Sequence, residues 1–173
     1  IFDIKDITVV LTAEASGIPL ATVCAQKYGV PMVFAKKAKS DNIEGGLYQS
    51  EIFSYTYKKK VTLIVAQEWL GPNDRVLIID DVISAGTSVR ESVEIIRAAG
   101  ATPCGVVIAL DRMERGTGEL SAVQEVERDY GIPVVSVASL DDLMAFLRDR
   151  PDFKENEAAV ASYRQEYGVA RSR

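Results

Sequence analysis

Two adjacent carboxylates, Asp80 and Asp81, directly follow a short apolar run, Val76-Leu77-Ile78-Ile79. The run is typical of a strand that is buried on both faces of a parallel sheet. Open α/β sheets bind ligands at the carboxyl ends of such strands. Because an unpaired charge is costly to bury, we expect the two acids to face a ligand rather than the core. Carboxylates at this position suit vicinal hydroxyl groups, a divalent cation, or both.

A loop of small residues follows the acids and consists of Ser84, Ala85, Gly86, Thr87 and Ser88. Its hydroxyl and N–H groups, with the positive end of the helix predicted to follow, favour a phosphate. The spacing differs from the GxGxxG pattern of dinucleotide sites and from the GxxxxGK pattern of P-loops. The stretch therefore predicts a site for a ribose 5-phosphate. The plainer alternative is a strand followed by an Asp-capped turn.

A second small-residue loop lies near the start of the chain. Ala15, Ser16 and Gly17 separate a strand predicted at residues 7–12 from a helix predicted at residues 18–28. Backbone N–H groups at a helix start can bind an anion, so this loop is a second candidate phosphate site. The alternative is an ordinary turn in which Ser16 is the N-cap of the helix.

Lysines follow the next predicted strand, at residues 30–35. Lys36, Lys37 and Lys39 are expected at the same edge of the sheet as both loops. A lysine cluster is often only a solvated surface. The protein has a net charge of −5, however, so a polyanionic substrate requires a local basic cluster of this kind.

Arg112 stands in a polar loop after the strand predicted at residues 102–110. Its guanidinium group has the planar donor fork that suits a carboxylate or an imide edge. The loop again follows the carboxyl end of a strand, which predicts that Arg112 approaches a base. The alternative is a surface ion pair with Glu114 or Asp111.

Alternating strand and helix patterns must position these residues. They predict an α/β fold over residues 1–173, one domain with a mostly parallel open sheet and helices on both faces. Residues 41–60 break the pattern with a polar stretch and alternating aromatics, which predict a flexible loop and a β-ribbon. A helix is predicted at residues 119–131, and a C-terminal helix at residues 152–168 is expected to serve packing only.

Composition narrows the classes of function. The net charge of −5 argues against a general nucleic-acid binder. Because the sequence shows neither a membrane-spanning apolar run nor a signal peptide, we expect a cytoplasmic protein without a membrane partner. Cys24 and Cys104 are expected to be buried free thiols. With no histidine in the chain, a protein metal site is not expected.

The acids Asp80 and Asp81 and the loop after them resemble the phosphoribosyl pyrophosphate signature of type I phosphoribosyltransferases. The resemblance implies that the acids hold the ribose hydroxyls and stabilise positive charge at the anomeric carbon. It implies that residues 84–88 bind the 5-phosphate, and that residues 15–17 and the three lysines bind pyrophosphate. It also implies Mg²⁺ as the cofactor, held mainly by substrate, and a homodimer.

The two halves of the chain resemble different members of this family. Residues 75–169 resemble bacterial orotate phosphoribosyltransferases, in which the arginine matching Arg112 binds the orotate carboxylate. Residues 6–73 resemble xanthine and other purine phosphoribosyltransferases, through Glu14-Ala15-Ser16-Gly17 and the lysines. The hood segment that covers the base in orotate enzymes is not found, and Asn42 stands where they have a loop histidine. A chimeric, engineered or truncated chain is therefore expected.

The resemblance predicts an enzyme of pyrimidine biosynthesis that transfers the phosphoribosyl group to orotate, giving orotidine 5′-monophosphate and pyrophosphate. One alternative is a 6-oxopurine enzyme of the xanthine type, which the first half of the chain suggests. The other is a module that binds phosphoribosyl pyrophosphate without turning it over.

Overall fold

The structure, a computed structural model, describes residues 6–37, 46–54, 59–83 and 87–169. The strands are β1 (Val9–Ala13), β2 (Met32–Ala35), β3 (Leu47–Ser54), β4 (Lys59–Ala66), β5 (Arg75–Asp80), β6 (Thr102–Asp111) and β7 (Val134–Ser139). The helices are α1 (Ile18–Tyr28), α2 (Thr87–Ala98), α3 (Ala122–Tyr130), α4 (Leu140–Arg148) and α5 (Lys154–Tyr167). Within the described ranges, no helix is both long and apolar enough to cross a bilayer.

Five parallel strands form the central sheet in the order β2-β1-β5-β6-β7. β1 lies beside β5, with Leu11 opposite Ile78, although the two strands are far apart in sequence. Parallel neighbours require a crossover connection, and helices provide most of these connections here. The predicted α/β fold, a mostly parallel sheet with helices on both faces, is confirmed.

The central strands divide their side chains between two cores, because successive residues point to opposite faces of a sheet. On β5, Val76 and Ile78 contact the first core, and Leu77 and Ile79 contact the second. The first core is completed by residues of β4, α2 and α3, namely Leu63, Val65, Val89, Val93, Ile96 and Val126. α1 completes the second core with Ala21 and Ala25, beside which Cys24 and Cys104 lie as free, half-buried thiols.

β3 and β4 form a separate antiparallel pair, which we call the ribbon. Lys36 joins the central sheet to the ribbon, because its N–H and C=O both bond to Ile64 at 2.9 Å. Ser50 of β3 also donates its hydroxyl to Glu94 of α2 at 2.6 Å. These hydrogen bonds, together with the core side chains of β4, attach the ribbon to the central domain. Of residues 41–60, where the sequence predicts a flexible loop and a ribbon, residues 41–45 and 55–58 lie outside the described residues.

Two helices begin at different residues from those predicted. The helix predicted from residue 119 begins at Ala122, because Ser121 is its N-cap. The Ser121 hydroxyl accepts from the Gln124 N–H, and the Gln124 side chain accepts from the Ser121 N–H, which forms a capping box. The C-terminal helix begins at Lys154, after a short 3-10 turn at Pro151–Phe153.

Candidate active site

Loops from four strands meet at the carboxyl edge of the central sheet, since parallel strands all end on the same side. Residues 14–17 follow β1, Lys36 and Lys37 follow β2, and residues 112–118 follow β6. Asp81 follows β5, and its carbonyl oxygen accepts from the Leu110 N–H of β6 at 3.0 Å. The edge therefore contains members of every group that the sequence predicts to bind substrate.

Asp80 is the last residue of β5, and its carboxyl group is buried. Ser88, on the first turn of α2, donates its hydroxyl to Oδ2, and the Asp81 N–H donates to Oδ1 at 2.9 Å. Burial raises the pKa of Asp80 to about 7, although the hydrogen bond from Ser88 opposes the shift. At neutral pH, Asp80 is therefore close to the midpoint of its titration.

Asp81 is half-buried beside Asp80 and has the opposite shift. Burial raises the pKa of Asp81, but hydrogen bonds with Asp80, the Ser16 hydroxyl and the Val82 N–H outweigh burial and lower that pKa below its ordinary value. Two neighbouring carboxyl groups do not ionise together easily. The pair therefore holds a negative charge on Asp81 and a titrating proton on Asp80, and Ser16 connects this pair to the loop after β1.

The loop after β1 packs closely against β5 at Gly17. A Cβ atom at Gly17 would lie 2.2 Å from Thr12 Oγ1 and 3.3 Å from the carbonyl oxygen of Ile79. The N-cap of α1 is Gly17 rather than Ser16, so the Ser16 side chain is directed to Asp81 instead of capping the helix. Ala15, which follows a cis peptide bond, is exposed together with Ser16. The structure thus leaves the first N–H groups of α1 at the carboxyl edge.

Lys36 and Lys37 lie beside this first loop. Glu14 accepts the Lys37 N–H at Oε1 over 2.6 Å, and its own N–H donates to Ala35 at 3.0 Å. Lys36 is fixed by its two bonds to Ile64. The structure therefore brings two of the three predicted lysines to the loop with which they are predicted to bind pyrophosphate, while Lys39 lies outside the described residues.

The phosphate loop after the acids is described in part. Ser88 is described in full, and Thr87 is described as the first residue of α2. Ser84, Ala85 and Gly86 lie outside the described residues. Because α2 begins at Thr87, its N-terminus lies at the carboxyl edge beside Asp80, where the helix dipole favours an anion.

Arg112 forms an ion pair within its own loop. Its Nε lies 3.0 Å from Glu114 Oε1, and its Nη2 donates to Oε2 at 3.2 Å. The pair thus combines a hydrogen bond from Nη2 with a close charge contact at Nε. Tyr163 of α5 donates its hydroxyl to the same carboxylate. The ion pair with Glu114, the alternative interpretation of Arg112, is therefore present, and it lies at the carboxyl edge.

Glu125 organises the rest of this loop, although its sequence context is that of any acid on an amphipathic helix. Its side chain is buried and accepts from the Gly118 N–H at 2.9 Å and the Thr117 hydroxyl at 3.0 Å. Arg90 of α2 lies 3.6 Å from it. Hydrogen bonding, first from the Thr117 N–H, keeps the pKa of Glu125 below its ordinary value. A Cβ atom at Gly116 would lie 2.3 Å from the Glu125 carboxylate carbon.

Glu91 is a second buried acid without a distinctive sequence signal. It lies one turn after Ser88 on α2 and is 6% exposed. Its Oε2 has no hydrogen-bond partner among the described residues. Burial, together with the nearby charges of Glu94 and Asp80, raises the pKa of Glu91 to about 8. The helix that carries Ser88 therefore also carries a carboxyl group that is largely neutral at pH 7.

The fold is a parallel α/β sheet. At one edge it carries an acid pair and a helix N-terminus that can bind a phosphate. A comparison of the sequence with protein families agrees with these features. The phosphoribosyl transferase domain family matches residues 3–134. The chain belongs to this family.

Within the family, the chain is similar to curated orotate phosphoribosyltransferases. It is 52% identical to that of Laribacter hongkongensis over 160 residues, covering 92% of this chain and 65% of the relative. It is 46% identical to that of Marinobacter nauticus over 169 residues, covering 95% of this chain and 71% of the relative. The chain thus spans about two thirds of the length of these relatives.

Solved structures of phosphoribosyltransferases have the same fold as this chain. The adenine phosphoribosyltransferase of Giardia lamblia, complexed with 9-deazaadenine, has a TM-score of 0.66 and 26% identity, covering 79% of this chain and 71% of that chain. The orotate phosphoribosyltransferase of Francisella tularensis has a TM-score of 0.61 and 27% identity, covering 96% of this chain and 73% of that chain.

The expected division of the chain into an orotate-like and a purine-like half is not supported. The orotate relatives match 92% and 95% of the chain, which includes the half that resembles xanthine enzymes. Nor do the comparisons favour the 6-oxopurine enzyme or the non-catalytic binding module.

Proposed function

We propose that this protein transfers the 5-phosphoribosyl group from phosphoribosyl pyrophosphate to orotate, giving orotidine 5′-monophosphate and pyrophosphate. One structural observation supports this proposal most strongly. The acid pair and Arg112 lie at the carboxyl ends of the adjacent strands β5 and β6, and the Asp81 carbonyl accepts from the Leu110 N–H, two residues before Arg112. A ribose beside the acids would therefore present its anomeric carbon towards a base beside Arg112.

The sugar phosphate is assigned to the groups around β5. Asp80 and Asp81 contact the ribose hydroxyls, and the charge of Asp81 stabilises the positive charge that develops at the anomeric carbon. Ser84, Ala85, Gly86, Thr87 and Ser88, with the N-terminus of α2, bind the 5-phosphate. Asp80, with its pKa of about 7, releases its proton to solvent before its carboxylate accepts hydrogen bonds from the hydroxyls, so activity requires its ionised form.

Pyrophosphate is assigned to the loop after β1 and to the lysines. Ala15, Ser16 and Gly17 offer N–H groups at the start of α1, and Lys36, Lys37 and Lys39 supply positive charge. Positioning of both reactants and electrostatic stabilisation carry the catalysis, so no covalent nucleophile is required.

Mg²⁺ is the cofactor that this proposal includes. Among the described residues, no group of three or more His, Cys, Asp or Glu side chains is arranged to hold a metal ion. The carboxyl groups of Asp80 and Asp81 offer oxygen donors, which fit an ion that keeps water ligands and draws its other oxygens from substrate, as Mg²⁺ prefers. When bound, the ion neutralises charge on the departing pyrophosphate.

Arg112 is assigned to the carboxylate of orotate. A guanidinium group that pairs with Glu114 through Nε and Nη2 has further N–H groups that can form parallel N–H···O bonds to a second carboxylate. Under this proposal the enzyme is a homodimer, as the resemblance to type I enzymes implies, and it is cytoplasmic, as the sequence predicts.

The test is pyrophosphate release with Mg²⁺, phosphoribosyl pyrophosphate and either orotate, uracil, xanthine, guanine or adenine. Orotate is the expected substrate. Arg112→Ala is expected to lower kcat/KM for orotate by roughly 100-fold, because charged hydrogen bonds to the carboxylate are lost.

Arg128→Ala is the matched control, since Arg128 is exposed on α3 and pairs with its neighbour Asp129 at 2.7 Å. It is expected to keep the wild-type rate. Turnover of an oxopurine but not of orotate would contradict the assignment of the base, and an unchanged rate in Arg112→Ala would contradict the role of Arg112.

A further inference from the structure

The residues that follow Arg112 are held along their backbone by the end of α5. The Arg115 N–H donates to the Tyr167 carbonyl at 2.8 Å, and the Val169 N–H donates to the Met113 carbonyl at 3.3 Å. Met113 itself has a φ of 53°, in the left-handed region that non-glycine residues seldom adopt. The path of the chain at Arg112 therefore depends on contacts with the C-terminal helix.

A side chain of the same helix continues this contact to Arg112 itself. The Tyr163 hydroxyl donates to Glu114 Oε1, the atom that lies 3.0 Å from Arg112 Nε. The Tyr163 ring packs against the Tyr167 ring, with 4.9 Å between their centroids. A hydroxyl, a carboxylate and a guanidinium group thus form a continuous chain from α5 to the carboxyl edge.

We propose that Tyr163 is a positioning residue for Arg112, so that α5 takes part in selecting a base that carries a carboxylate. The proposal rests on the proposed function, in which Arg112 contacts that carboxylate. Tyr163 acts through Glu114 and not on the base. Its hydroxyl fixes the plane of the Glu114 carboxylate, and this plane in turn sets the orientation of the guanidinium group.

Orientation matters most for a ligand that pairs with the guanidinium group in two places. Two parallel N–H···O bonds require coplanar groups, whereas a ligand without a carboxylate makes no such pair. Loss of the Tyr163 hydroxyl should therefore weaken the binding only of ligands that carry a carboxylate. A general loosening of α5 would instead weaken every ligand of the site.

Orotidine 5′-monophosphate and uridine 5′-monophosphate provide this comparison, because they differ only in the carboxylate. Their dissociation constants are measured by titration calorimetry for the wild type, Tyr163→Phe, Arg112→Ala and the double variant. Tyr163→Phe keeps the ring and its contact with Tyr167. The selectivity ratio is the dissociation constant for the uridine nucleotide divided by that for the orotidine nucleotide. It is expected to fall about fivefold in this variant, which is less than direct loss of a charged hydrogen bond would cause, because Tyr163 acts through Glu114.

The uridine nucleotide is expected to bind Tyr163→Phe as it binds the wild type, and the double variant should have the ratio of Arg112→Ala alone. Tyr130→Phe, the same change on α3 beneath Arg97, is the matched control and should keep the wild-type ratio. Thermal unfolding verifies that each variant is folded.

Three outcomes overturn this inference. If Tyr163→Phe keeps the wild-type selectivity ratio while Arg112→Ala lowers it, the role of Tyr163 is wrong and the proposed role of Arg112 stands. If Tyr163→Phe loses affinity equally for both nucleotides, Tyr163 has a general structural role instead. A ratio near one in the wild type, or an unchanged ratio in Arg112→Ala, overturns the proposed role of Arg112 and this inference with it.

Discussion

The hydroxyl of Ser88 donates a hydrogen bond to Oδ2 of Asp80, which joins the first turn of α2 to the end of β5. Ser88 belongs to the loop proposed to bind the 5-phosphate, and Asp80 belongs to the pair proposed to bind the ribose. The same hydrogen bond lowers the pKa of Asp80 against the effect of burial. One hydroxyl therefore couples the phosphate loop to the protonation of the acid pair.

Ser88→Ala should move the titration of Asp80 to higher pH. Because the lost hydrogen bond favours the ionised carboxylate, we expect the pKa to rise from about 7 by about one unit. The acidic limb of the profile of kcat/KM against pH reports this pKa in the free enzyme.

Ser92→Ala is the control for this change, since the Ser92 hydroxyl donates to the Ser88 carbonyl at 2.9 Å rather than to Asp80. It should leave the midpoint of the acidic limb in place. An acidic limb that does not move in Ser88→Ala would mean that another group governs the profile.

Gly17→Ala should disturb both the first loop and the stability of the fold. The added methyl group would meet Thr12 Oγ1 and the backbone of Ile79, so we expect a loss of about 1–3 kcal/mol in the free energy of unfolding. The Michaelis constant for phosphoribosyl pyrophosphate should rise as well. Urea unfolding and steady-state kinetics measure the two effects.

Two further variants isolate the cause in the Gly17 experiment. Gly71→Ala places its methyl group 3.9 Å from Asp74 and should be tolerated. Adding Thr12→Ala to Gly17→Ala removes the nearest atom and should restore part of the lost stability. A Gly17→Ala protein as stable and active as the wild type would exclude the close packing of this loop.

Glu91→Gln should change how stability depends on pH. The pKa of Glu91 is raised from its ordinary value of 4.5 to about 8 in the folded protein. Protonated Glu91 therefore contributes fully to the free energy of unfolding below pH 4.5, and this contribution is lost as the pH rises towards 8. Glutamine does not ionise. The free energy of unfolding of the variant should therefore rise relative to that of the wild type by up to about 1.4 kcal/mol per pH unit across that window.

Urea unfolding at several pH values measures this difference between Glu91→Gln and the wild type. Glu155→Gln, at an exposed position on α5, is the control. Its free energy of unfolding should change with pH in parallel with that of the wild type. Parallel curves for Glu91→Gln as well would show that Glu91 is ionised in the folded protein.

The parts of the fold that follow from local signals are predictable from the sequence. α1 runs from Ile18 to Tyr28 as predicted, because Pro19 marks its first turn and Gly29 adopts the left-handed conformation at its end. The acid pair follows from an apolar run that ends in two charges. Both signals are properties of neighbouring residues, and they do not depend on the rest of the chain.

Contacts between distant elements are not predictable in this way. Tyr163 and Glu114 are 49 residues apart, and the sequence predicts only packing for α5. Glu125 occupies a helix position at which a solvated acid and a buried one look alike. The purine-like resemblance of the first half rests on short loops and lysines, which different phosphate sites share for the same physical reasons.

The close contact between Gly116 and the Glu125 carboxylate limits how this protein can diverge over evolutionary time. Any side chain at position 116 would displace the carboxylate that holds Thr117 and Gly118. A shorter residue at position 125 would release the same loop even if position 116 stayed glycine. Because both positions act on the same carboxylate, we expect the effect of a substitution at one of them to depend on the residue at the other.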